Sequence, residues 1–367
     1  MKEEKYTCDI CHEECDLSEL TYFDESYLCE DCLRRKTFIC RDCGDRHWND
    51  DSADGDLCQT CYDEDYVRCE RCDAVIHYDD ACYHEDEEYH DHPYCRDCFD
   101  MDEIIHDYYY KPEPIFYGDG PRYLGVELEL DDGGENEFCA SKLLEIANNG
   151  CERMYIKHDG SLDDGFECVT HPMTLDYHIN QMPWRAILNK AVAKGYLSHQ
   201  AGTCGLHVHI SRNALGANYE EQEATIAKIL YFYEKFWNEI LTFSRRTESQ
   251  AEHWARRYGG GIINPKETLK HAKNSHMGRY AAVNLENEAT IEMRIFRGTL
   301  KYNTFIATLQ MVDEICKVAI SLSDEFMQGL TWLDFVKGIA DGKQELINYL
   351  KEKRLYVNEP IRNEVEI

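Results

Sequence analysis

The chain has 367 residues and a formal net charge of −32, most of it in residues 1–115, which hold 11 Lys and Arg against 35 Asp and Glu. A surface this acidic repels phosphate backbones, which argues against general DNA or RNA binding. No apolar run is long enough to span a membrane and no apolar segment follows residues 1–5, so we expect a cytoplasmic protein with no membrane span and no signal sequence.

Residues 6–99 contain three copies of one motif, and each copy has two Cys-x-x-Cys pairs. Two such pairs are the usual ligand set of a tetrahedral Zn²⁺ site, and each copy is too short to bury its own core without the metal. We predict three structural zinc sites, each closed within its copy, while a cross-braced pairing of copies stays open. The modules and ligands are residues 1–36 (Cys8, Cys11, Cys29, Cys32), 37–65 (Cys40, Cys43, Cys58, Cys61) and 66–102 (Cys69, Cys72, Cys95, Cys98).

The loops of these modules are acidic, both between Asp50 and Asp56 and in the run at 85–88. Acidic loops favour recognition of a protein, or a structural role, over binding to nucleic acid. We therefore expect the modules to recruit a peptide or protein partner. Residues 103–121 are rich in Tyr, Pro and Gly and are predicted to be a linker to a second domain, residues 122–367.

The second domain begins with a strand over 122–130, in which apolar residues alternate with Glu127 and Glu129. Side chains alternate between the faces of a strand, so the two carboxylates lie side by side above a buried apolar face. They repel each other unless a cation lies between them, and a divalent cation is the usual one. A strand with a solvated acidic face is the alternative interpretation.

A second strand of this design follows further along the chain. The elements predicted before it are a helix over 138–149, strands over 154–158 and 166–170, and a helix over 175–194 that breaks at Pro183. The strand over 204–210 then places His207 and His209 on one face and apolar residues on the other. Two histidines at this spacing are typical of a metal or phosphate site, although two ordinary sheet histidines would look the same.

The last third of the domain is predicted to contain a long helix, a hairpin and three more helices. The predicted elements are a helix over 219–244, strands over 279–285 and 290–300, and helices over 302–321, 333–339 and 344–350. In the second strand of the hairpin, Glu292 and Arg294 share the polar face. Between the long helix and the hairpin, Arg245, Arg246, Arg256 and Arg257 either clamp an anion or belong to a mobile surface loop.

Three predicted strands thus carry pairs of polar side chains on one face, namely Glu/Glu, His/His and Glu/Arg, and the strand over 166–170 adds Glu167. Four carboxylates, two imidazoles and an arginine suit two Mg²⁺ ions and a polyphosphate. The sequence has neither a Walker loop nor a Rossmann glycine fingerprint. Any nucleotide must therefore bind at this sheet.

Over residues 120–320 the chain resembles the amidoligase family, carboxylate–amine ligases related to glutamine synthetase and glutamate–cysteine ligase. The resemblance is carried, in chain order, by Gly-Val-Glu-Leu-Glu (125–129), Asp-Gly-Ser-Leu (159–162) with Glu167 and His171-Pro172, Gly-Leu-His-Val-His (205–209), Arg-Tyr-Ala-Ala-Val-Asn-Leu (279–285) and Thr-Ile-Glu-Met-Arg-Ile-Phe-Arg-Gly-Thr-Leu (290–300). Similar metal-binding ribbons accompany some members of the family, often in phages and bacteria.

The resemblance implies an α+β, glutamine-synthetase-like domain whose antiparallel sheet, backed by helices, binds ATP and Mg²⁺. A carboxylate would be phosphorylated to an acyl phosphate, and an amine would displace the phosphate. The implied Mg²⁺ ligands are Glu127, Glu129, Glu167, His207, His209 and Glu292. The implied catalytic residues are Arg294, Arg297 and Asp159, and the implied substrate- or nucleotide-binding residues are Ser161, Arg279, Asn284, Arg294 and Arg297.

Two other functions stay open. One is a non-catalytic protein, for example a phage factor, that sequesters a host protein through the acidic zinc modules. The other is a metal-dependent phosphatase or nuclease that uses the same carboxylates, although the charge of −32 argues against a nuclease. The complete set of Glu127, Glu129, Glu292 and Arg294 favours the ligase, because a scaffold has no need of it.

Overall fold

The computed structural model describes residues 6–83, 92–99, 104–259, 264–275 and 277–356. Residue contacts divide the chain into two units, Met1–Asp102 and Glu103–Ile367. Among the helices of the described residues, none has the length and apolar character needed to cross a membrane. The acidic run at 85–88 lies outside the described residues.

The first unit repeats short antiparallel hairpins followed by a helix. The elements are β1 (Tyr6–Thr7), β2 (Glu14–Cys15), β3 (Leu20–Phe23), β4 (Ser26–Cys29), α1 (Glu30–Lys36), β5 (Thr37–Ile39), β6 (Arg46–Trp48), β7 (Ser52–Asp54), β8 (Leu57–Cys58), α2 (Gln59–Asp65), β9 (Tyr66–Arg68), β10 (Val75–His77) and α3 (Arg96–Phe99). Each module has a small buried cluster of cysteines with one larger side chain, Leu28, Leu57 or Tyr94. Clusters this small need help from a metal or a disulfide to hold a fold.

A seven-stranded sheet forms the centre of the second unit. Its strands are β11 (Ile105–His106), β12 (Leu124–Leu130), β13 (Met154–Lys157), β14 (Phe166–Thr170), β15 (Leu206–Ser211), β16 (Val283–Asn284) and β17 (Thr290–Met293). Their order is β11-β13-β14-β12-β15-β17-β16, and every neighbouring pair is antiparallel except β11 with β13. The mixed helix-and-strand architecture predicted from the sequence is confirmed.

Helices pack with the apolar face of this sheet in one buried core. They are α4 (Glu137–Asn148), α5 (Leu175–Asn180), α6 (Trp184–Ala193), α7 (Tyr219–Lys235), α8 (Trp237–Ser244), α9 (Glu248–Trp254), α10 (Pro265–Asn274), α11 (Tyr302–Ser321), α12 (Asp324–Gly329), α13 (Trp332–Lys337) and α14 (Gln344–Glu352). Val126 and Leu128 of β12 belong to the same buried cluster as Ile229 of α7 and Phe305 of α11. One face of β12 is therefore core, as its alternating pattern predicts.

Several predicted elements differ from the structure. The helix predicted over 219–244 is two helices, because the backbone leaves helical geometry at Phe236. The segment 245–278 holds α9 and α10, whose starts are capped by Thr247 and by Asn264 followed by Pro265, so it is not one loop. The break expected at Pro183 is confirmed.

The sheet also differs from the prediction at its edges. The predicted linker 103–121 contributes β11, which pairs with β13, and Tyr117 bridges to Met173. The last hairpin is shorter than predicted, since the regular strand β17 ends at Met293, although Arg297 still forms an antiparallel bridge with Gly205. The pattern of alternating side chains continues past this point in the sequence although the strand does not.

His178 on α5 fixes the start of β12 through a buried hydrogen bond. Its Nε2 lies 3.0 Å from the carbonyl oxygen of Leu124, and the Trp184 indole N–H donates to its Nδ1 over 3.3 Å. The ring therefore donates from one nitrogen and accepts at the other, as only a neutral imidazole can. Burial lowers the pKa of His178 from 6.5 to about 4.

We expect this histidine to make stability depend on pH. The neutral ring is favoured in the folded state, so its contribution is complete above about pH 6.5 and is lost as the pH falls toward about 4. His178→Gln cannot titrate, so its free energy of unfolding should fall less over this interval than that of the wild type, by up to about 3 kcal/mol. Urea unfolding at several pH values measures the two slopes.

The matched control is His253→Gln, because His253 is an exposed histidine on α9. This variant should keep the pH slope of the wild type. Equal slopes for wild type and His178→Gln would contradict the assignment of a buried neutral imidazole.

Candidate functional site

The twelve cysteines of the first unit form three clusters of four, each within one module. Within each cluster the four sulfur atoms lie within 4.8 Å of one another. The clusters are Cys8, Cys11, Cys29 and Cys32; Cys40, Cys43, Cys58 and Cys61; and Cys69, Cys72, Cys95 and Cys98. Four thiols at this spacing fit a zinc ion, and the grouping is sequential rather than cross-braced.

The clusters of the first two modules have equivalent hydrogen bonds. The Cys29 N–H donates to Cys8 Sγ over 3.4 Å, and in the second module the Cys58 N–H donates to Cys40 Sγ over the same distance. Burial raises the pKa of the Cys8 and Cys40 thiols, but backbone N–H groups outweigh it and lower each pKa to about 6. Each cluster thus begins with a thiol that ionises readily, and a thiolate is the form that binds metal.

We expect the purified protein to contain about three zinc ions per chain, and Cys58→Ser to contain about two. The reason is that each cluster is closed within its module, so the other two keep their ligands. Elemental analysis of protein freed of unbound metal measures the content. Cys151→Ser, a change at an exposed cysteine outside the clusters, should keep all three ions, and a full zinc content in Cys58→Ser would contradict the assignment.

In the second unit, strand register brings four of the predicted magnesium ligands together. Glu127 on β12 lies opposite His207 on β15, and Glu129 lies opposite Glu167 on β14. His207 Nδ1 is 3.3 Å from Glu127 Oε2, and its Nε2 is 3.6 Å from Glu129 Oε1. Glu129, Glu167 and His207 are buried.

The next strands bring in the remaining two ligands. His209 lies opposite Glu292 on β17, and Glu292 lies opposite Asn284 on β16, which donates to Glu292 Oε2 over 2.8 Å. Arg294 Nη1 contacts Glu292 Oε1 at 2.5 Å. His209 Nε2 is 3.0 Å from Glu127 Oε1, although the two atoms do not align as a hydrogen bond.

These side chains form two groups that fit a metal ion. One is Glu127, His207 and Glu292, the other is Glu129, Glu167 and His207, and in each the ligand atoms lie within 4.8 Å of one another. The two groups use opposite nitrogens of His207, since Nδ1 faces Glu127 and Glu292 while Nε2 faces Glu129. Carboxylate oxygens are the ligands that Mg²⁺ prefers.

The charges on this face also suit a cation. Burial and the nearby Glu127 raise the pKa of Glu167 well above its usual value, and burial raises that of Glu129 as well. Lys157 partly offsets this, with its Nζ 3.1 Å from Glu167 Oε2. Burial alone would raise the pKa of Glu127, but His209 and His207 hold it well below its usual value. A divalent cation would relieve the repulsion that remains.

Asp159 and Ser161 lie on the loop before β14. Asp159 Oδ1 accepts from the Ser161 N–H over 2.7 Å and from its hydroxyl over 2.5 Å. Asp131, buried just after the end of β12, holds this loop by accepting from the N–H groups of Asp163 and Asp164. The Asp159 carboxylate is close enough to the metal-binding face to raise the pKa of Glu129.

Arg279 and Arg297 are not in contact with the acidic groups. Arg279 donates to the Tyr108 hydroxyl over 2.8 Å and to Tyr280. The backbone N–H of Arg297 donates to the carbonyl oxygen of Ser244, and its side chain forms no ion pair in the described part of the chain. In a regular strand Arg297 would lie on the buried face, away from Glu292, and in the structure both arginines lie outside the named strands.

Sequence reasoning missed Lys157, whose ammonium group is the cation nearest Glu167. The signal was present, because in β13 Tyr155 and Lys157 alternate with buried Met154 and Ile156. Lys157 lies opposite Glu167 in the register of β13 with β14. Lys157 could have been identified as a basic residue on a predicted strand that neighbours an acidic strand.

A buried sheet face with four carboxylates and two imidazoles offers the ligand types that divalent cations take in proteins. Residues 148–316 match the family model described as "Putative amidoligase enzyme". The resemblance predicted from the sequence is confirmed over this segment, which includes four of the six predicted ligands, and the match implies a ligase. Glu127 and Glu129 precede the matched segment. No curated protein matches the chain.

Proposed function

We propose that the protein is an ATP- and Mg²⁺-dependent carboxylate–amine ligase with a glutamine-synthetase-like catalytic unit. The observation that carries the proposal is the register of β12, β14, β15 and β17, which puts two groups of side chains that fit a metal ion on one face. The family match supports the ligase class. The nucleotide and the acyl-phosphate route are part of the proposal.

In this proposal Glu127, Glu292 and His207 hold one Mg²⁺, and Glu129 and Glu167 hold the second. When bound, the ions neutralise the phosphate oxygens of ATP and favour transfer of its terminal phosphoryl group. Asn284 and Arg294 contact Glu292 over 2.8 and 2.5 Å and hold its carboxylate in position. The Glu292 carboxylate is thereby oriented before substrate arrives.

The other predicted residues complete the reaction. The substrate carboxylate attacks the terminal phosphorus of ATP, and the bond to ADP breaks. Arg294 and Arg297 stabilise the negative charge on the phosphoryl group during this transfer. An amine then attacks the acyl carbon, phosphate leaves, and Asp159 accepts the proton that the nitrogen loses. Ser161 holds the Asp159 carboxylate through the two hydrogen bonds described above.

We further propose that the acceptor is a peptide or protein, recruited by the zinc modules in the cytoplasm. The exposed acidic loop of the second module, with Asp50 and Asp51, supports binding to a basic partner. The same acidic surface supports a second candidate function, a non-catalytic factor that binds a host protein. ATP turnover separates the two.

We expect the zinc-loaded protein to release ADP and phosphate from ATP when Mg²⁺ and an acceptor carboxylate and amine are supplied. Glu129→Gln removes a buried anionic ligand while keeping the shape of the side chain, so turnover should fall by roughly 100-fold or more. Separation of the nucleotides measures ADP, and a dye assay measures phosphate. ADP and phosphate released equally well without the carboxylate and the amine would indicate a phosphatase instead.

The matched control is Glu325→Gln, at an exposed position on α12. It should turn over ATP as the wild type does. If the wild type neither binds nor hydrolyses ATP under any of these conditions, the binding protein becomes the better conclusion, and capture experiments with the zinc modules follow.

A further inference from the structure

Helix α8 ends in a strained backbone conformation at Arg245. Its φ is 68°, in the left-handed region, and Arg245 is the residue that follows Ser244 at the C-terminus of the helix. Glycine is the usual residue at such a helix end because a Cβ is crowded there. Strain of this kind is commonly found where a side chain has a role in binding or catalysis.

Arg245 and its neighbour Arg246 contact the segment that follows β17. Arg245 contacts the carbonyl oxygen of Arg297 through Nη2, and Arg246 Nε donates to the carbonyl oxygen of Ile295 over 3.1 Å. The Arg297 N–H donates in return to the carbonyl oxygen of Ser244 over 3.1 Å. Three arginines are therefore gathered at one corner, and the oxygens they contact are uncharged.

This corner carries positive charge that no carboxylate balances by direct contact. In the described part of the chain none of the three arginines takes part in an ion pair. Burial, and then the charges of Arg294, Arg297 and Arg245, lower the pKa of Arg246 to about 10, while the nearby Glu129 opposes the shift. An added anion would stabilise all of these guanidinium groups.

Buried atoms without a partner point to the same corner. Nε of Arg245 and Nε of Arg297 are buried and have no hydrogen-bond partner in the described structure, and the same is true of Nδ1 of His199. Burial and the charges of Arg297, Arg245 and Lys353 lower the pKa of His199. Buried donors without partners are rare in proteins unless a ligand or water completes them.

The other two arginines of the predicted anion clamp do not share this environment. Arg257 Nη2 lies 2.9 Å from the buried Glu234 carboxylate, and Arg256 is exposed with Glu252 at 3.9 Å. The four arginines therefore lie in different surroundings. Arg245 and Arg246 form no ion pair in the described structure. Arg257 is neutralised by Glu234, and Arg256 is exposed to solvent.

We propose that Arg245, Arg246 and Arg297, with His199, form an oxyanion-binding site at the Glu129 side of the metal-binding face. Its ligand is a phosphate or carboxylate group, since guanidinium groups bind both through paired hydrogen bonds. The site deepens the proposed function, because through Arg297 it adjoins the place assigned to the phosphoryl group. The group it holds is either that phosphoryl group or a second carboxylate of the acceptor.

The test is anion binding by the zinc-loaded full-length protein without nucleotide. Isothermal titration with inorganic phosphate and, separately, with succinate is carried out at constant ionic strength set with chloride. We expect at least one of the two to bind the wild type, and Arg297→Gln to weaken that binding by at least about tenfold. The anion that binds more tightly identifies the source of the oxyanion.

Arg245→Gly separates a binding role from a structural one. Glycine fits the φ of 68°, and the strain that it relieves offsets the lost contact with the carbonyl oxygen of Arg297, so the thermal midpoint in chloride should stay near that of the wild type. Anion binding should nevertheless weaken by at least about tenfold. A purely structural arginine would show the reverse, with a lower thermal midpoint and unchanged binding. Arg256→Gln is the matched control and should bind as the wild type does.

The proposal fails if neither anion binds the wild type, or if Arg245→Gly and Arg297→Gln bind as the wild type does. It also fails if Arg256→Gln weakens binding equally, because binding would then follow overall charge. Failure of the ligase assignment is distinguishable, since a protein that binds the anion at this corner but turns over no ATP retains the oxyanion site. Turnover without such binding overturns the oxyanion site alone.

Discussion

Four carboxylates share one face of the seven-stranded sheet, and the repulsion between them is the constraint on which the arrangement of the second unit depends. Antiparallel pairing forces Glu129 against Glu167, and burial denies both the screening that water would supply. The opposite face of β12 belongs to the main hydrophobic core, so the strand cannot turn the pair outward without exposing Val126 and Leu128. Burial of the apolar face thus holds the acidic face in place.

The part of the site that follows from alternation could be predicted from the sequence. The six ligand candidates lie on strands whose period of two separates core from polar face, and the structure places all six on the same face. Which strands are neighbours could not be predicted in this way, because the pairing of β12 with β14 and β15 joins residues about 40 to 80 positions apart. Local patterns carry no information about such partners.

The surroundings of the arginines could not be predicted, again because they depend on residues that are distant in the sequence. The roles of Arg279 and Arg297 were implied by the family resemblance, but both residues lie outside the regular strands, and the surroundings of each arginine come from distant parts of the chain. The zinc clusters were predicted in full because each has its four ligands within a single module, as two local turns. The ligands of a zinc cluster can be predicted from their spacing in the sequence. The grouping of arginines at Arg245 depends instead on the packing of the end of α8 against the chain beyond β17.

His207 lies between the two groups of metal ligands, with a different ring nitrogen facing each group. A neutral imidazole has one lone pair and one N–H, so it can coordinate a cation on one side while its other nitrogen can only donate. If each group binds a cation, the two positions are linked through this one ring, and the tautomer that suits the first position sets the affinity at the second. Filling one position would then change the affinity of the other, so the two would not act as independent sites.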